Sequence, residues 1–309
     1  KGEERSLFAK AEYYNLTGSL KDRIAFHMLR MAYEREEIEE TDIITEATSG
    51  NTGIAFSAMG SYLGHKVVIF MPDWMSSERI RLIESYGAKV RLVTKEEGGF
   101  LGSIDMTEKL AERGGYFLPR QFSNEDNVTI HYEVTANEIL EQLNRLSLKP
   151  DCVVAGVGTG GTIMGLIRRF REVNPDCKGH PLEPANSPTL STGHKVGQHK
   201  IQGISDEFIP SIVKLNELDR IVSVDDNDSI IMSRMLSEKL GIGVGLSSGA
   251  NFLGCVIASH ELPPDSTVVT IFADDNKKYL STDYSIKQTP GDEYLTSHLE
   301  LLGVTALSG

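Results

Sequence analysis

The segment "DCVVAGVGTGGTIMG" occupies residues 151–165 and joins an apolar run to a glycine-rich turn and then to a second apolar stretch. The first part has the β-branched, uncharged composition of a buried strand, and the last part is typical of a helix. Where a helix begins, its first backbone N–H groups have no intrahelical acceptor and its dipole is positive, so an anion is favoured there. We therefore predict an α/β fold with a phosphate-binding turn at the end of this strand.

The side chains of the turn agree with this interpretation. Thr159 and Thr162 offer hydroxyl donors to phosphate oxygens, and the glycines let the backbone approach them closely. Gly156, Gly158 and Gly161 also match the G-x-G-x-x-G spacing of dinucleotide-binding loops. The turn by itself therefore predicts phosphate binding and leaves a nicotinamide dinucleotide open.

Other apolar segments alternate with helix-like ones along the chain. Besides the strand at Asp151, the predicted buried strands are "DIITEA" (Asp42–Ala47), "KVVIFM" (Lys66–Met71), "KVRLVT" (Lys89–Thr94) and "STVVTIFA" (Ser266–Ala273). Alternation of this kind predicts parallel sheets covered by helices on both faces. The composition of "LSLKPD", just before the strand at Asp151, is interpreted as a boundary between two lobes.

A second turn of small residues lies in "EATSGNTGIAF", again between a strand and a helix-like stretch. The hydroxyls of Thr48, Ser49 and Thr52 add donors where the helix dipole already favours an anion. The same residues also suit an ordinary helix N-cap, which remains the alternative. A third turn, in "VGLSSGANF", places Ser247 ahead of a helical stretch, and helix capping is the alternative there too.

The segment "NLTGSLKDRIAF" places Lys21 after a Gly-Ser turn, at the start of an apolar-patterned helix. A single lysine is usually a surface cation. A lysine desolvated beside a carbonyl cofactor would instead form a Schiff base, because burial lowers its pKa and frees the amine.

Bulk composition narrows the class of protein. The chain has 309 residues, enough for two α/β lobes, and a formal net charge of −13, which argues against nucleic acid or an anionic membrane as a partner. Its 3 cysteines form no CxxC pair, and no apolar run reaches transmembrane length or resembles a secretory signal. We therefore expect a cytoplasmic protein without a metal site. Because the chain begins at Lys1 rather than Met, we also expect that a leading segment is missing.

Taken in order, a series of segments resembles the cysteine synthase and cystathionine β-synthase family of fold-type-II pyridoxal-phosphate enzymes. These segments are "GSLKDRIA", "TSGNTGIA", "QFSNEDN", "GVGTGGTIMG", "LEPANSP", "HKIQGISDEFIP", "LSSGAN" and "YLST". They span almost the whole chain, so the resemblance displaces the dinucleotide interpretation. One departure is "NLTGS", where the family usually has "NPGGS".

The resemblance implies an α/β fold like that of tryptophan synthase β, with two lobes that each contain a mostly parallel sheet flanked by helices. The smaller lobe would comprise residues 14–128, with about 50–125 as its mobile part. The larger, phosphate-binding lobe would comprise residues 1–13 and 129–309. Such enzymes are typically homodimers whose smaller lobe closes over the amino acid.

Carried over residue by residue, the resemblance implies roles for particular side chains. Lys21 would form the internal aldimine with pyridoxal 5′-phosphate, Asn51 would bind the ring hydroxyl, and Ser247 would bind the pyridine nitrogen. The residues that would hold the phosphate are Gly158, Thr159, Gly160, Gly161 and Thr162. The residues that would bind the substrate are Thr48, Ser49, Asn51 and Thr52 at its α-carboxylate, with Gln121 helping, and also Gly203 and Glu207.

The implied chemistry is β-elimination and β-replacement. The cofactor acts as an electron sink, and Lys21, once displaced by the substrate, takes the Cα proton as general base. Loss of the β-substituent leaves an enzyme-bound α-aminoacrylate. A neutral serine would not hold the pyridine nitrogen protonated as an aspartate would, which favours these reactions over transamination.

The loop "QGISDEFIP" departs from the family, which usually has the small, neutral "GIGAGFIP" beside the bound amino acid. Ser205, Asp206 and Glu207 stand at those positions. A carboxylate there would repel an incoming bisulfide anion and could accept a proton from water that attacks Cβ. The alternative is that Asp206 is a loop cap that faces solvent.

We therefore predict a hydrogen-sulfide-producing, bacterial-type member that acts on L-cysteine, with water attacking the aminoacrylate to give L-serine and with Asp206 as the base. One alternative is cysteine synthase, which uses O-acetylserine and sulfide. Another is β-replacement by an amino-acid nucleophile to give cystathionine, lanthionine or a diamino dicarboxylate. A catalytically silent scaffold that binds a partner in the substrate cleft is the alternative from a different class. Serine or threonine dehydration is disfavoured, because "TSGNTG" and "QFSN" resemble the synthase branch.

Overall fold

The computed structural model describes residues 3–287 and 290–307. Its chain divides into two units by contact. The larger unit consists of the described residues up to Tyr13 together with those from Val128 onward, and the smaller unit is Tyr14–Asn127.

The described residues form parallel strands and α-helices in alternation. The strands are β1 (Leu7–Ala11), β2 (Ile43–Ala47), β3 (Val67–Pro72), β4 (Lys89–Val93), β5 (Tyr116–Phe117), β6 (Cys152–Gly156), β7 (Lys178–Pro184), β8 (Val222–Val224) and β9 (Val268–Phe272). The helices are α1 (Lys21–Glu34), α2 (Asn51–Tyr62), α3 (Ser77–Ser85), α4 (Gly99–Ala111), α5 (Asp126–Ile130), α6 (Ala136–Asn144), α7 (Gly161–Val173), α8 (Thr189–Thr192), α9 (Asp226–Leu240) and α10 (Leu246–Ser259). A π-helical turn (His131–Thr135) joins α5 directly to α6. The predicted α/β class is confirmed, and each of the predicted strands is present.

The smaller unit contains a four-stranded sheet in the order β4-β3-β2-β5, and every pair in it is parallel. Buried aliphatic side chains such as Ile44, Ile54 and Ile69 form its core. Helices α2 and α4 both pack against β2 and β3. Because the strands are parallel, the carboxyl end of β2 and the start of α2 meet at one edge of this sheet, where ligands of open α/β sheets bind.

The larger unit contains a five-stranded sheet in the order β1-β9-β6-β7-β8, again with every pair parallel. Helix α10 packs against β6 and β9, α7 packs against β6 and β7, and α9 packs on α10. Among the described residues, the first strand thus pairs with the last one. The glycine-rich turn between β6 and α7 lies at the carboxyl edge of this sheet, near its centre.

The interpretation of "LSLKPD" as a lobe boundary is wrong. This segment lies inside the larger unit, between α6 and β6. It is a tight connection that is bonded on both sides, since Leu148 N donates to Leu143 O at 3.0 Å and Asp151 N donates to Thr267 O at 2.9 Å.

In the described part of the chain, no helix combines the length and apolarity that crossing a membrane requires.

Candidate active site

The glycine-rich turn of the larger unit has the geometry of an anion site. Gly160 caps α7 with φ 88°, and a Cβ there would lie 2.1 Å from Cγ2 of Val213. The helix bonding begins with Met164 N donating to Gly160 O at 3.1 Å, so the N–H groups of the residues just before Met164 precede the helical ladder. The residues from Gly158 to Thr162 therefore present backbone donors at the positive end of a 13-residue helix.

The loop that carries the two acids packs directly on this turn, within the same unit. Ser205 N donates to Val157 O at 2.7 Å. A Cβ on Gly158 would lie 2.4 Å from the carbonyl oxygen of Gly203, and one on Gly156 would lie 2.8 Å from Cγ2 of Ile204. Glycine is therefore favoured at both positions, because a backbone carbonyl occupies the space beside Gly158 and a buried side chain occupies the space beside Gly156. The structure brings the predicted phosphate turn and the predicted acid loop together.

The backbone that presents Asp206 is strained and bound from several sides. Ser205 has φ 56°, a left-handed conformation that is unusual for a residue with a side chain. Its carbonyl accepts a hydrogen bond from Nε2 of His199 at 2.9 Å, and its hydroxyl donates to Ser187 O at 3.0 Å. The carbonyl of Asp206 accepts from Thr189 Oγ1 at 3.2 Å. These contacts determine where the Asp206 side chain begins.

The two acids of the loop have different surroundings. Glu207 forms an ion pair with Lys195 at 2.9 Å, and both side chains are partly exposed. Asp206 is half-buried. The ion pair gives Glu207 a surface role of its own.

A buried histidine that the sequence gave no reason to choose also contacts the glycine-rich turn. His131 lies in the π-helical turn, with Nε2 3.2 Å from Thr162 Oγ1 and Nδ1 3.0 Å from Thr135 Oγ1. A Cβ on Gly165 would lie 2.6 Å from Val128 O, so this glycine lets the π-helical turn pack on α7. Single π-helical turns are frequent at functional sites, but no local sequence pattern predicts them.

Ser247, the predicted partner of the pyridine nitrogen, lies in the first turn of α10 and is buried. A carboxylate that sequence reasoning missed lies beside Gly245, the N-cap of the same helix, where a Cβ would be 2.0 Å from Asp274 Oδ1. Asp274 follows β9, is fully buried, and accepts a hydrogen bond from Tyr279 OH at 2.8 Å through Oδ2. Its backbone carbonyl accepts from Gly245 N at 2.9 Å, which joins the end of β9 to the start of α10. Buried carboxylates at a sheet edge are hard to foresee because local sequence resembles an ordinary loop.

In the smaller unit, the predicted carboxylate-binding residues are gathered at the start of α2. Thr52 Oγ1 donates to Gln121 Oε1 at 2.7 Å, and Gln121 Nε2 donates to Ala47 O at 2.8 Å. Thr48 Oγ1 accepts from Gly50 N at 3.0 Å, which closes the turn between β2 and α2. The structure therefore brings the Thr48–Thr52 turn and Gln121 together, although many residues separate them in sequence.

A buried cation lies against the same turn. Arg79 is 2% exposed, and a Cβ on Gly50 would lie 2.4 Å from both Cδ and Nε of the arginine. Its Nη1 donates to Ser76 Oγ at 3.0 Å. A positive charge in a low-dielectric setting, together with the positive end of α2, favours an anion at this turn. Sequence reasoning missed Arg79, because an Arg in an amphipathic helix is usually exposed.

A buried acid lies on the strand side of the turn. Glu46 is 3% exposed; its Oε1 accepts from Ala47 N at 2.9 Å and its Oε2 accepts from Gln121 N at 3.2 Å. Burial raises the pKa of the Glu46 carboxyl to about 7, because the charged form loses its hydration. This residue was also missed, since one acid at a strand end has no distinguishing pattern.

Lys21 is the first residue of α1 and is half-buried. The turn before it is closed by Asp22, whose carboxylate accepts from Thr17 N at 2.7 Å and from Thr17 Oγ1 at 2.6 Å. Gly18 has φ 78°. The segment "NLTGS", which differs from the family's usual "NPGGS", therefore still forms a turn. The Thr17 hydroxyl supplies one of its hydrogen bonds.

Comparison with known proteins identifies the family. The chain matches the family model described as pyridoxal-phosphate dependent enzyme over residues 1–274. It is 40% identical over 278 residues to a probable cysteine synthase of Bacillus subtilis (strain 168), covering 90% of this chain and 89% of that protein.

Two solved structures are more similar still. The hydrogen sulfide-producing enzyme from Fusobacterium nucleatum is 56% identical, with a TM-score of 0.93 over 96% of this chain and 89% of that one. An Asp-to-Asn mutant of that enzyme, complexed with an α-aminoacrylate intermediate, is 55% identical with a TM-score of 0.93, again over 96% of this chain and 89% of that one.

The donor groups described above fit pyridoxal phosphate, taken unit by unit. In the larger unit, the turn from Gly158 to Thr162 has hydroxyls, helix-start N–H groups and glycines whose Cβ positions are filled by neighbouring atoms, as close approach to a phosphate requires. In the smaller unit, Lys21 would supply the primary amine that an imine with the aldehyde needs. Pyridoxal phosphate is therefore the cofactor of this protein.

Proposed function

The chain belongs to the cysteine synthase and cystathionine β-synthase family of pyridoxal-phosphate enzymes, and from that premise we propose that it converts L-cysteine and water into L-serine and hydrogen sulfide. The reaction breaks the Cβ–S bond, forms a Cβ–O bond, and needs no oxidant or reductant. The observation that carries the proposal is the packing of the Gly203–Ser205 backbone on the glycine-rich turn, which brings Asp206 to the phosphate-binding end of the larger unit.

A carboxylate at this position favours water over sulfide as the nucleophile. Bisulfide is an anion, and two like charges in a poorly solvated site repel each other by several kcal/mol. Water is neutral and becomes a nucleophile when a base accepts its proton. Asp206 is proposed as that base, rather than Glu207, because it holds the central position of the Ser205–Glu207 loop.

The other residues act on binding and on the Cα proton. When bound, pyridoxal phosphate supplies the electron sink for negative charge at the substrate Cα. Lys21 supplies the amine that removes that proton, and the Thr48–Thr52 turn binds the α-carboxylate with N–H groups and hydroxyls at the start of α2. Arg79 adds positive charge behind that turn.

The test of Asp206 is a single-turnover comparison of the parent and D206N. With cysteine alone, D206N should still release about one equivalent of sulfide per active site in the first turnover, since Cβ–S cleavage does not use Asp206. Steady-state serine formation should fall about 100-fold or more, as expected when a general base is removed.

D176N is the matched control, because Asp176 is an exposed aspartate of the same unit between α7 and β7, at the amino edge of the sheet. It should behave like the parent. Serine formation by D206N at the parental rate would show that Asp206 is not the base, and a larger loss in E207Q than in D206N would reassign the role to Glu207.

Cysteine synthase is the second candidate, and the 40% identity to a probable cysteine synthase favours it. This activity would consume sulfide with O-acetyl-L-serine and produce cysteine. A sulfide electrode distinguishes the two: we expect faster sulfide release from cysteine than sulfide consumption with O-acetyl-L-serine. The reverse order of rates would make the protein a synthase.

The proposal includes the homodimer and the cytoplasmic location that the resemblance and the composition predict. Sedimentation velocity of the purified holoenzyme should give the mass of two chains of 34.0 kDa.

A further inference from the structure

Glu46 connects two parts of the smaller unit that the proposed function assigns to substrate binding. It is the next-to-last residue of β2, and Ala47 alone separates it from the turn of Thr48–Thr52. Through Oε1 it accepts from the backbone of Ala47, and through Oε2 it accepts from the backbone of Gln121, 75 residues away in sequence. A single carboxylate therefore links the start of the turn to the segment that carries Gln121.

The Gln121 side chain returns to the same turn. Its amide donates to Ala47 O at 2.8 Å and accepts from Thr52 Oγ1 at 2.7 Å, and its backbone carbonyl accepts from Asn127 Nδ2 at 2.9 Å. Gln121 is thus bound to the turn through its side chain and to Glu46 through its backbone. If the bond to Glu46 is lost, the Gln121 backbone N–H is left without that acceptor, in a buried site where such losses are costly.

A carboxylate has two acceptor oxygens for these two N–H donors, whereas a carboxylic acid has one oxygen occupied by its own proton. Protonation of Glu46 therefore weakens one of the two bonds. The same holds for a glutamine at this position, since its NH₂ group would face a backbone N–H.

We propose that Glu46 is a positioning residue whose ionised carboxylate holds Gln121 against the Thr48–Thr52 turn, so that binding of an amino-acid carboxylate weakens when Glu46 takes up a proton. This inference rests on the proposed function for its choice of substrate class. Glu46 touches neither substrate nor cofactor in this scheme; it acts through Ala47 and Gln121.

The surroundings of Glu46 set the pH at which its carboxylate takes up a proton. Burial is the main cause that raises its pKa to about 7, and the two backbone hydrogen bonds act in the opposite direction. Glu108 on α4 raises the pKa further, while Arg120 lowers it, and these two form an exposed ion pair with each other at 2.8 Å. Glu46 is therefore mostly ionised above pH 7 and mostly protonated below it.

Repulsion between the Glu46 carboxylate and the substrate carboxylate would act in the opposite direction. Arg79 and the positive end of α2 lie against the same turn and offset that repulsion. We therefore expect the loss of the hydrogen bond on protonation to outweigh the loss of this repulsion. The affinity for the amino-acid carboxylate should then fall as the pH falls.

The experiment measures binding of L-alanine to the holoenzyme by calorimetry at pH 6 and pH 8. L-Alanine has the α-carboxylate and α-amino group but no leaving group at Cβ, so it binds without turnover. At pH 8 we expect E46Q to bind it about two- to tenfold more weakly than the parent, the range that one hydrogen bond gives. At pH 6 the two proteins should have the same affinity, because the parent is then protonated.

E108Q is the matched control: it removes a negative charge that faces Glu46 without changing either of its hydrogen bonds. It should bind L-alanine at pH 8 as the parent does. In steady-state assays with cysteine, E46Q should change KM more than kcat. Equal affinities of E46Q and parent at pH 8, or tighter binding by the parent at pH 6 than at pH 8, would overturn the proposal.

Failure of the proposed function gives a different result. A parent protein that binds L-alanine in the expected pH-dependent way but releases no sulfide from cysteine would refute the reaction and leave the role of Glu46 intact. Stability of E46Q is checked separately by thermal unfolding at both pH values, so that a misfolded variant is recognised before its affinity is interpreted.

Discussion

At position 158 the neighbour of the glycine is a backbone carbonyl, and this decides which substitutions the turn tolerates. A side chain can rotate away from an added methyl group, whereas the carbonyl of Gly203 can move only if its whole loop moves. That loop also carries Asp206. One methyl group at position 158 therefore acts on the phosphate turn and on the acid loop at once.

We expect G158A to lose affinity for pyridoxal phosphate and to be destabilised by about 1–3 kcal/mol, the usual cost of overpacking. The added Cβ would lie 2.4 Å from Gly203 O, and relief of this clash would break the bond from Ser205 N to Val157 O. Titration of the apoprotein with the cofactor, followed by absorbance, measures the affinity. G303A is the control, because nothing lies near a Cβ at that position. Equal cofactor affinity in the two variants would contradict the expectation.

At the scale of elements, the final described segment is attached to α9 by one buried carboxylate. Asp228 accepts from Leu295 N at 2.9 Å and from Thr296 N at 3.1 Å, and it also bonds the Thr296 hydroxyl. These contacts hold the 3₁₀ turn Leu295–His298 against the first turn of α9. The segment is also held by Asn227 Nδ2, which donates to Tyr294 OH at 3.4 Å, and by apolar packing of Leu295, Leu299 and Leu301 on the core.

We predict that limited proteolysis cleaves D228N faster than the parent at sites after residue 286. The reason is that an amide has one acceptor oxygen where the carboxylate has two. The local cost should be about 1–3 kcal/mol for the donors left without a partner. Mass spectrometry of the fragments identifies the cleavage sites. E238Q, on the exposed face of the same helix, should retain the parental cleavage rate. Identical rates for D228N and parent would show that Asp228 does not anchor the segment.

The strands that sequence predicted are those whose apolar composition is visible without context. β7 was missed because it contains Pro181 and Glu183, which rarely occur together in a buried strand. In the fold, Glu183 accepts from Leu190 N at 2.7 Å and from Ser191 N at 3.2 Å, so its carboxylate is satisfied by the start of α8. Only the tertiary contact makes that polar residue acceptable inside the sheet.

The same distinction holds at the candidate site. The glycine-rich turns could be predicted as candidate sites because their glycines and hydroxyls are consecutive in the sequence. Three residues were missed because each contacts a segment distant in sequence. Glu46 contacts Gln121, Arg79 contacts Gly50, and His131 contacts Thr162. No local pattern records such a pairing. The role proposed for Asp206 remains a prediction that D206N tests, and the role proposed for Lys21 also remains a prediction.

At the scale of the whole molecule, buried ionisable groups make stability depend on pH in two opposite directions. Burial raises the pKa of Glu46 to about 7 and that of Asp226 to about 6. The folded protein therefore binds these protons more tightly than the unfolded chain, and stability falls as the pH rises from about 4 to 7. Burial lowers the pKa of His199, so that group removes stability as the pH falls below its ordinary value of 6.5.

Between pH 5 and pH 8, we expect the stability of the variant E46Q/D226N to decrease much less than that of the parent. The contribution of Glu46 alone is about 3 kcal/mol, from a shift from 4.5 to about 7 at 1.36 kcal/mol per pKa unit. Thermal unfolding midpoints across that range measure the effect. In the double variant, the His199 contribution should remain, with stability rising slightly from pH 5 to pH 7. A midpoint that falls with pH as steeply as in the parent would refute this account.

The pairing of the first strand with the last has a consequence for synthesis on the ribosome. β1 lies at the edge of its sheet with β9 as its neighbour, so Leu7–Ala11 has no strand to pair with until Val268–Phe272 has been translated. The smaller unit, by contrast, contains all four strands of its own sheet within Tyr14–Asn127. The nascent polypeptide can therefore complete that sheet early. Meanwhile, β1 of the other sheet remains without this partner until the residues between Ala11 and Val268 have been translated.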